Sequence, residues 1–255
     1  MKIITVGALK GGVGKTNFTF NLGAFLSIEK EKRVLLIDLD PQGNLTQCCQ
    51  LNPEKPFSMF LFQKNTLLKN IIFETHINNL SIIPVNIEAI KLEIQLNNEI
   101  SREKILLSYF RENYEYLKNN YDYILIDTNP SLNITNTNAY AIANSIVLLC
   151  DNSIHSLRAI DMVFDVWTNL CQKMEIKNNI KAIVLSNFDH YKISKDFKKH
   201  LEYSNFKNFV LKQEIRKKQK FKNSEITGKP AIKLISKLEN PYFNIVNELE
   251  EKGVL

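Results

Sequence analysis

Cysteine is scarce in this 255-residue chain, and its arrangement excludes more than its number does. Cys48, Cys49, Cys150 and Cys171 form no CxxC pair, and the adjacent Cys48 and Cys49 are poorly placed to chelate one metal. They read as reduced thiols and not as a disulfide framework or a zinc site. His76, His155, His190 and His200 show no HxxxH or mixed Cys/His spacing, so catalysis through a soft-ligand metal is not expected. No apolar run approaches the ~20 residues of a membrane span. The first residues pass straight into Lys2-Ile3-Ile4-Thr5-Val6 without signal-peptide anatomy. A soluble, cytoplasmic protein is the expectation. There is also no Pro/Gly/Ser linker, internal repeat or break in composition, so one domain over residues 1–255 is expected.

What is present is an ordinary globular composition, 44% hydrophobic and 24% charged, with an uneven distribution of charge. The net charge is +6. Between Asp189 and Lys233 stand 13 Lys+Arg and 5 Asp+Glu, so this segment carries more than the whole excess and the remainder is slightly acidic. A concentrated basic stretch points to a polyanion partner.

Short, continuously apolar, β-branched runs recur along the chain, as expected of strands covered on both faces. They lie at Ile3–Ala8, Arg33–Ile37, Leu80–Pro84, Tyr123–Asp127, Ser145–Cys150, Ala182–Asn187 and Asn208–Leu211. Helix-like stretches fall at Thr16–Glu29, Ile87–Asn97, Ser101–Asn119, Leu132–Ala143, Ser156–Met174, Lys195–Tyr203 and Pro241–Lys252. Alternation of strand and helix predicts an α/β fold: a doubly wound, mostly parallel sheet flanked by helices on both faces.

The most informative stretch is Leu9-Lys10-Gly11-Gly12-Val13-Gly14-Lys15-Thr16, which follows a strand and opens a helix. Glycines there let backbone N–H groups turn inward to form an anion nest at a helix N-terminus. Lys15 then reaches β- and γ-phosphates, and the Thr16 hydroxyl ligates Mg²⁺. The pattern is a variant of GxxxxGK[ST], because Leu9 stands at its first glycine and Lys10 precedes the rest. Two further strands end in carboxylates, one in Asp38-Leu39-Asp40 and the other in Asp127. An aspartate ending a strand is commonly only a turn or cap. Three of them at the carboxyl ends of parallel strands face the same crevice as the phosphate loop, where they can hold Mg²⁺ and orient an attacking water.

KGGVGKT, VLLIDLDPQGN at Val34–Asn44 and ILIDTNPSL at Ile124–Leu132 together resemble the ParA/MinD family of deviant Walker ATPases, with DPQGN favouring the ParA branch. The likeness in order and spacing runs from Met1 to about Pro230. It implies a homodimer that sandwiches ATP, with Lys10 reaching across to the partner subunit's phosphates. Gly11, Gly12, Val13, Gly14, Lys15 and Thr16 would bind the phosphates. Asp40 would activate the hydrolytic water, and Asp38 and Asp127 would lie near the metal with Thr16. Asn17 stands where threonine usually follows, and its amide is expected to donate to the α-phosphate. Asn187 falls where the family places residues near the adenine. Asn129 replaces the first proline of the usual DxPP, which leaves the conformation of that loop to be established.

The basic run Ile215-Arg216-Lys217-Lys218-Gln219-Lys220-Phe221-Lys222 leads to Gly228-Lys229-Pro230. In ParA proteins a similar stretch ending in GKP contributes to sequence-independent binding of double-stranded DNA, and Lys217 and Lys220 match basic positions there. Arg216, Lys218 and Lys222 add charge of the kind that binds phosphates without reading bases. The resemblance also implies a ParB-like centromere-binding partner that stimulates slow ATP hydrolysis, and a nucleoid-associated location. With the phosphate loop starting at residue 10, no separate N-terminal helix-turn-helix domain is expected. A MinD-like membrane-positioning ATPase is the alternative, but the tail Glu248-Leu249-Glu250-Glu251-Lys252-Gly253-Val254-Leu255 is acidic and unsuited to anionic lipid. A metabolic ligase or reductase on the same scaffold is a third reading, which fold alone does not exclude.

Overall fold

The computed structural model describes residues 1–63, 65–188, 197–199, 201 and 204–255. Seven strands form one sheet among these residues: β1 (Lys2–Gly7), β2 (Val34–Asp38), β3 (Phe73–Glu74), β4 (Leu80–Ile83), β5 (Tyr123–Asp127), β6 (Ser145–Cys150) and β7 (Ile180–Leu185). Their spatial order is β3-β4-β2-β5-β1-β6-β7, parallel throughout except for β3, a two-residue antiparallel edge. β-branched and leucine residues fill both faces, so alternate residues of one strand enter different cores. On one face Ile4, Val6, Leu36, Leu125 and Val184 pack with Phe18, Leu22 and Phe25 of α1 (Lys15–Ile28). On the other, Ile3, Leu35, Ile37, Ile124 and Ile126 pack with Leu106, Tyr109, Phe110 and Leu117. A third cluster joins Ile146, Leu148 and Ile183 to Ile160, Val163 and Trp167.

Further helices among the described residues are α2 (Asn44–Cys48), α3 (Ile90–Leu96), α4 (Ile105–Glu112), α5 (Tyr114–Asn120), α6 (Ile134–Ile142), α7 (Ile154–Met174), α8 (Gln219–Thr227), α9 (Ala231–Leu234) and α10 (Tyr242–Glu251). Two sequence expectations change. The single helix expected over Ser101–Asn119 is broken at Asn113, whose backbone leaves helical geometry and whose amide side chain donates to Tyr109 O. The strand expected at Asn208–Leu211 is reduced to one bridge from Val210 to Ile183. Most of the helix expected at Lys195–Tyr203 lies outside the described residues. The short α2 and the edge strand β3 carry no clear periodicity in sequence.

This topology decides where a ligand goes. From β1 the chain winds outward through β2 to β4, returns to insert β5 between β2 and β1, and then crosses to β6 and β7. The carboxyl ends of β1, β2 and β5 therefore open side by side at the point of reversal. Register places Asp38 opposite Asp127, and Asp127 opposite Val6 at the mouth of the phosphate loop.

Candidate active site

The loop between β1 and α1 is built around two left-handed glycines, Gly12 at φ 75° and Gly14 at φ 88°. A side chain at either would be strained by the backbone alone. The carbonyls of this loop are drawn outward. Gly12 O accepts from Asn187 Nδ2 at 2.9 Å, and Val13 O accepts from the Ser186 hydroxyl. Across a trans peptide the N–H points opposite the C=O, so these two bonds turn the amides of Val13 and Gly14 to the other side. α1 starts with no side-chain cap, and its first amides add to the same donor set. An array of N–H groups at a helix N-terminus is an anion cradle.

Lys15, 7% exposed, lies under this cradle. Burial lowers its pKa, opposed by the charges of Asp127 and Asp40, so all three groups share one electrostatic field. Asp127 is fully buried, and its Oδ2 accepts from the Thr16 hydroxyl at 2.7 Å. Desolvation pushes its pKa up to about 7, against the pull of the Thr16 hydrogen bond and of Lys15. Asp38 is also fully buried and is raised to about 8, by desolvation first and by the nearby Asp127 second.

The two carboxylates of the β2 loop have different partners. Asp38 Oδ2 accepts from the Thr46 amide at 2.9 Å and the Thr46 hydroxyl at 2.7 Å, and its Oδ1 accepts from the Asp40 amide at 3.2 Å. It ties the start of α2 to the end of β2. Asp40 makes a local turn instead, its Oδ1 accepting from the Gln42 amide at 3.0 Å and its carbonyl from the Gly43 amide at 2.8 Å. That turn leaves Oδ2 of Asp40 as the carboxylate oxygen outside these bonds. Thr46, which holds Asp38, carries no motif of its own; its one signal in the sequence is a hydroxyl just past DPQGN.

Asn129 does not disturb the loop after β5. Its carbonyl and Oδ1 each accept from Asn136 Nδ2 at 2.9 Å, and Ser131 Oγ donates to the same Oδ1 at 2.5 Å. A fully buried asparagine from α6 thus fixes the position at which the first proline of DxPP is replaced. The Asn17 amide donates to Phe221 O at 2.7 Å, on the basic helix α8. Asn187 likewise commits its amide to Gly12. Lys10 Nζ pairs with Asp151 within the same chain and donates to Ser153 Oγ at 3.0 Å.

Magnesium fits this donor set. Among the described residues no group of three or more His, Cys, Asp or Glu side chains could hold a metal by itself. One hydroxyl and one carboxylate, with waters and substrate phosphates completing the shell, is how Mg²⁺ is usually held. Beside the cradle, Phe188 bridges to Arg216, and a cavity of about 300 Å³ opens among Arg216, Lys218, Phe221, Asn240 and Asn244.

The basic segment lies along one side of this arrangement. Arg216 Nε donates to Glu214 at 3.1 Å, and Lys218 pairs with Glu239 at 3.5 Å. Lys217, Lys220 and Lys222 are exposed, while Phe221 and Ser224 turn into the core.

The chain matches the family model described as an AAA domain over residues 1–182. It is 31% identical over 242 residues to the sporulation initiation inhibitor protein Soj of Bacillus subtilis, covering 91% of this chain and 90% of that one. It is 30% identical to the chromosome-partitioning ATPase Soj of Treponema pallidum, over 71% of this chain and 69% of that one. In fold it is similar to McdA of Cyanothece, with a TM-score of 0.85 at 21% identity over 98% of this chain and 99% of that one. A plasmid partition protein of Borrelia burgdorferi bound to AMPPNP superposes with a TM-score of 0.78 at 24% identity, covering 98% of each chain. With its phosphate loop, paired strand-end carboxylates and extended sequence match, the chain belongs to the ParA/Soj-type partition ATPases of the ParA/MinD deviant Walker family.

Proposed function

We propose that this chain is an ATP-driven DNA-partition switch. ATP binds in the amide cradle of Gly11–Thr16, two copies close face to face around it, and the closed dimer holds double-stranded DNA nonspecifically through the basic segment. A ParB-like partner stimulates hydrolysis and release, which makes the protein nucleoid-associated. The observation that carries the reading is the convergence of outward-turned Gly12 and Val13 carbonyls, buried Lys15 and the Thr16–Asp127 bond at one strand-end crevice.

Each side chain then has a task. Lys15 neutralises the β/γ oxygens, and Thr16 with Asp127 holds Mg²⁺, which supplies further charge neutralisation there. Asp40 accepts a proton from the attacking water, its turn aiming one oxygen away from the backbone. Asp38 acts by fixing that turn through Thr46 and the Asp40 amide. Lys10 leaves Asp151 to reach the partner subunit's phosphates, exchanging one anion for another. The nucleoside is assigned to the neighbourhood of Asn187, as the family resemblance implies.

Membrane docking is disfavoured by packing. The apolar face of α10 is buried as Tyr242, Ile245, Val246 and Leu249, and Val254 and Leu255 follow it into the core. That face of α10 is therefore not available to lipid.

The test is the binding of a nonspecific duplex over a salt series, with and without a nonhydrolysable ATP analogue. Binding is expected only with nucleotide, falling steeply with salt. Equal affinity without nucleotide would contradict the switch.

A further inference from the structure

Helix α8 carries Lys220 and Lys222, and it is fastened to both halves of the ATP site. Its first attachment is to α1. Asn17, the third residue of α1, donates its amide to Phe221 O at 2.7 Å. One turn later Asn21, 2% exposed, makes four hydrogen bonds with a single amide group. Its Nδ2 donates to Asn17 O at 2.9 Å and to Asn17 Oδ1 at 3.0 Å. Its Oδ1 accepts from the Ser224 hydroxyl at 3.2 Å, on α8, and from the Ala231 amide at 2.6 Å, at the start of α9.

The second attachment is to α2. A Cβ on Gly228, at φ 64°, would lie 2.8 Å from Cys48 O, so the turn after α8 sits directly on the end of α2. Gln50 Nε2 donates to Thr227 O at 2.9 Å. At its other end α2 begins four residues past Asp40, and its Thr46 holds Asp38. α8 is therefore wedged between the helix that follows the phosphate loop and the helix that follows the water-activating loop.

We infer that Asn21 is a positioning residue that transmits the state of the phosphate loop to the basic helix, through Asn17 on one side and Ser224 and Ala231 on the other. The inference rests on the DNA-binding reading for its consequence, whereas the linkage itself does not. α1 begins within the cradle, so a triphosphate that engages its first amides acts on the turn that carries Asn17. That turn does not move independently of α8, because each buried group in the chain has its partner and would lose it. Close-packed interiors respond to such a displacement by changing between discrete arrangements. A leucine or alanine would fill the Asn21 position within an otherwise apolar stretch of α1, where Phe18, Phe20, Leu22 and Phe25 are buried. An amide with two donors and two acceptor positions, all satisfied, is what joins three separate backbone segments there.

The experiment follows hydrogen exchange of residues 219–227 with and without magnesium and a nonhydrolysable ATP analogue, together with analogue affinity and duplex affinity. It uses the wild type, Asn21→Ala and Ser224→Ala. In the wild type nucleotide is expected to slow exchange in α8 by about tenfold and to tighten DNA binding in parallel. In Asn21→Ala both responses shrink to about twofold or less while analogue affinity stays within about twofold; Ser224→Ala loses part of the response. A folded Asn21→Ala whose α8 responds as in the wild type overturns the inference. Should that variant fail to fold, Ser224→Ala decides, and an undiminished response overturns it equally. A wild type that binds no DNA in either state, yet loses its exchange response on Asn21→Ala, refutes the DNA reading and leaves the linkage standing.

Discussion

The phosphate site and the basic segment use charge in opposite ways. At the phosphate site Lys15, Asp38 and Asp127 are buried, and each carboxylate has named donors on neighbouring helices. In the basic segment Lys217, Lys220 and Lys222 lie on the surface, and Arg216 and Lys218 form exposed ion pairs with Glu214 and Glu239. A buried charge costs heavily unless its partners are in place, so its geometry is specified and a single substitution is decisive. An exposed charge acts through a long-range, salt-screened field, where number counts for more than position. In the proposed switch the first region serves chemistry on one ligand, and the second serves the repeated phosphates of a polymer.

The sharpest contrast comes from Asp40→Ala, which should lower ATP turnover by about 100-fold while the analogue still binds. Steady-state hydrolysis with an equilibrium binding titration checks it; normal turnover would remove Asp40 from its role. Across the divide, replacing Lys217 and Lys220 together by Ala should weaken duplex binding by about tenfold and reduce the salt slope by about 2, with analogue affinity unchanged. A loss confined to one of the two lysines would mean that position matters there after all.

A third expectation concerns the buried pair. The pKa values of Asp127 and Asp38 are raised in the fold to about 7 and about 8, above the ordinary 3.8. A group raised on folding favours the protonated folded state, so its stabilisation is complete below the ordinary value and is lost as pH climbs through the folded value. The nucleotide-free protein should therefore melt at lower temperature as pH rises from about 4 to about 8. Asp127→Asn should flatten that slope and raise the melting temperature at alkaline pH by about 2–6 °C, at the expense of stabilisation by magnesium and nucleotide. Unchanged slope in the variant would place the charge cost elsewhere. The smallest effect is expected from Arg216→Ala, which should change duplex affinity by less than about threefold, because its charge is partly offset by Glu214, a carboxylate it shares with Lys198.

Sequence was most legible where backbone conformation and residue type constrain each other. Gly12 and Gly14 mark the cradle because no other residue takes their conformation cheaply, and Asp38 and Asp127 mark strand ends because the apolar runs before them end abruptly. Long-range hydrogen bonds left no such trace. Thr46 on Asp38, Asn136 on Asn129 and Asn21 on α8 join positions 7 to 203 residues apart, and each is an ordinary polar residue in its own neighbourhood. Asn17 is a further case: nothing in its motif position announces the bond of its amide to Phe221. The break at Asn113 has a different cause, a local bond to Tyr109 O within a stretch whose helical composition continues on both sides.

The central claim is that the Gly11–Thr16 cradle and Lys15 hold a triphosphate around which two copies close. Sedimentation velocity with magnesium and a nonhydrolysable ATP analogue tests it most directly, comparing the wild type with Lys15→Ala. The account predicts a nucleotide-dependent dimer for the wild type and a monomer for Lys15→Ala under the same conditions. A Lys15→Ala protein that dimerises on nucleotide as the wild type does would contradict it.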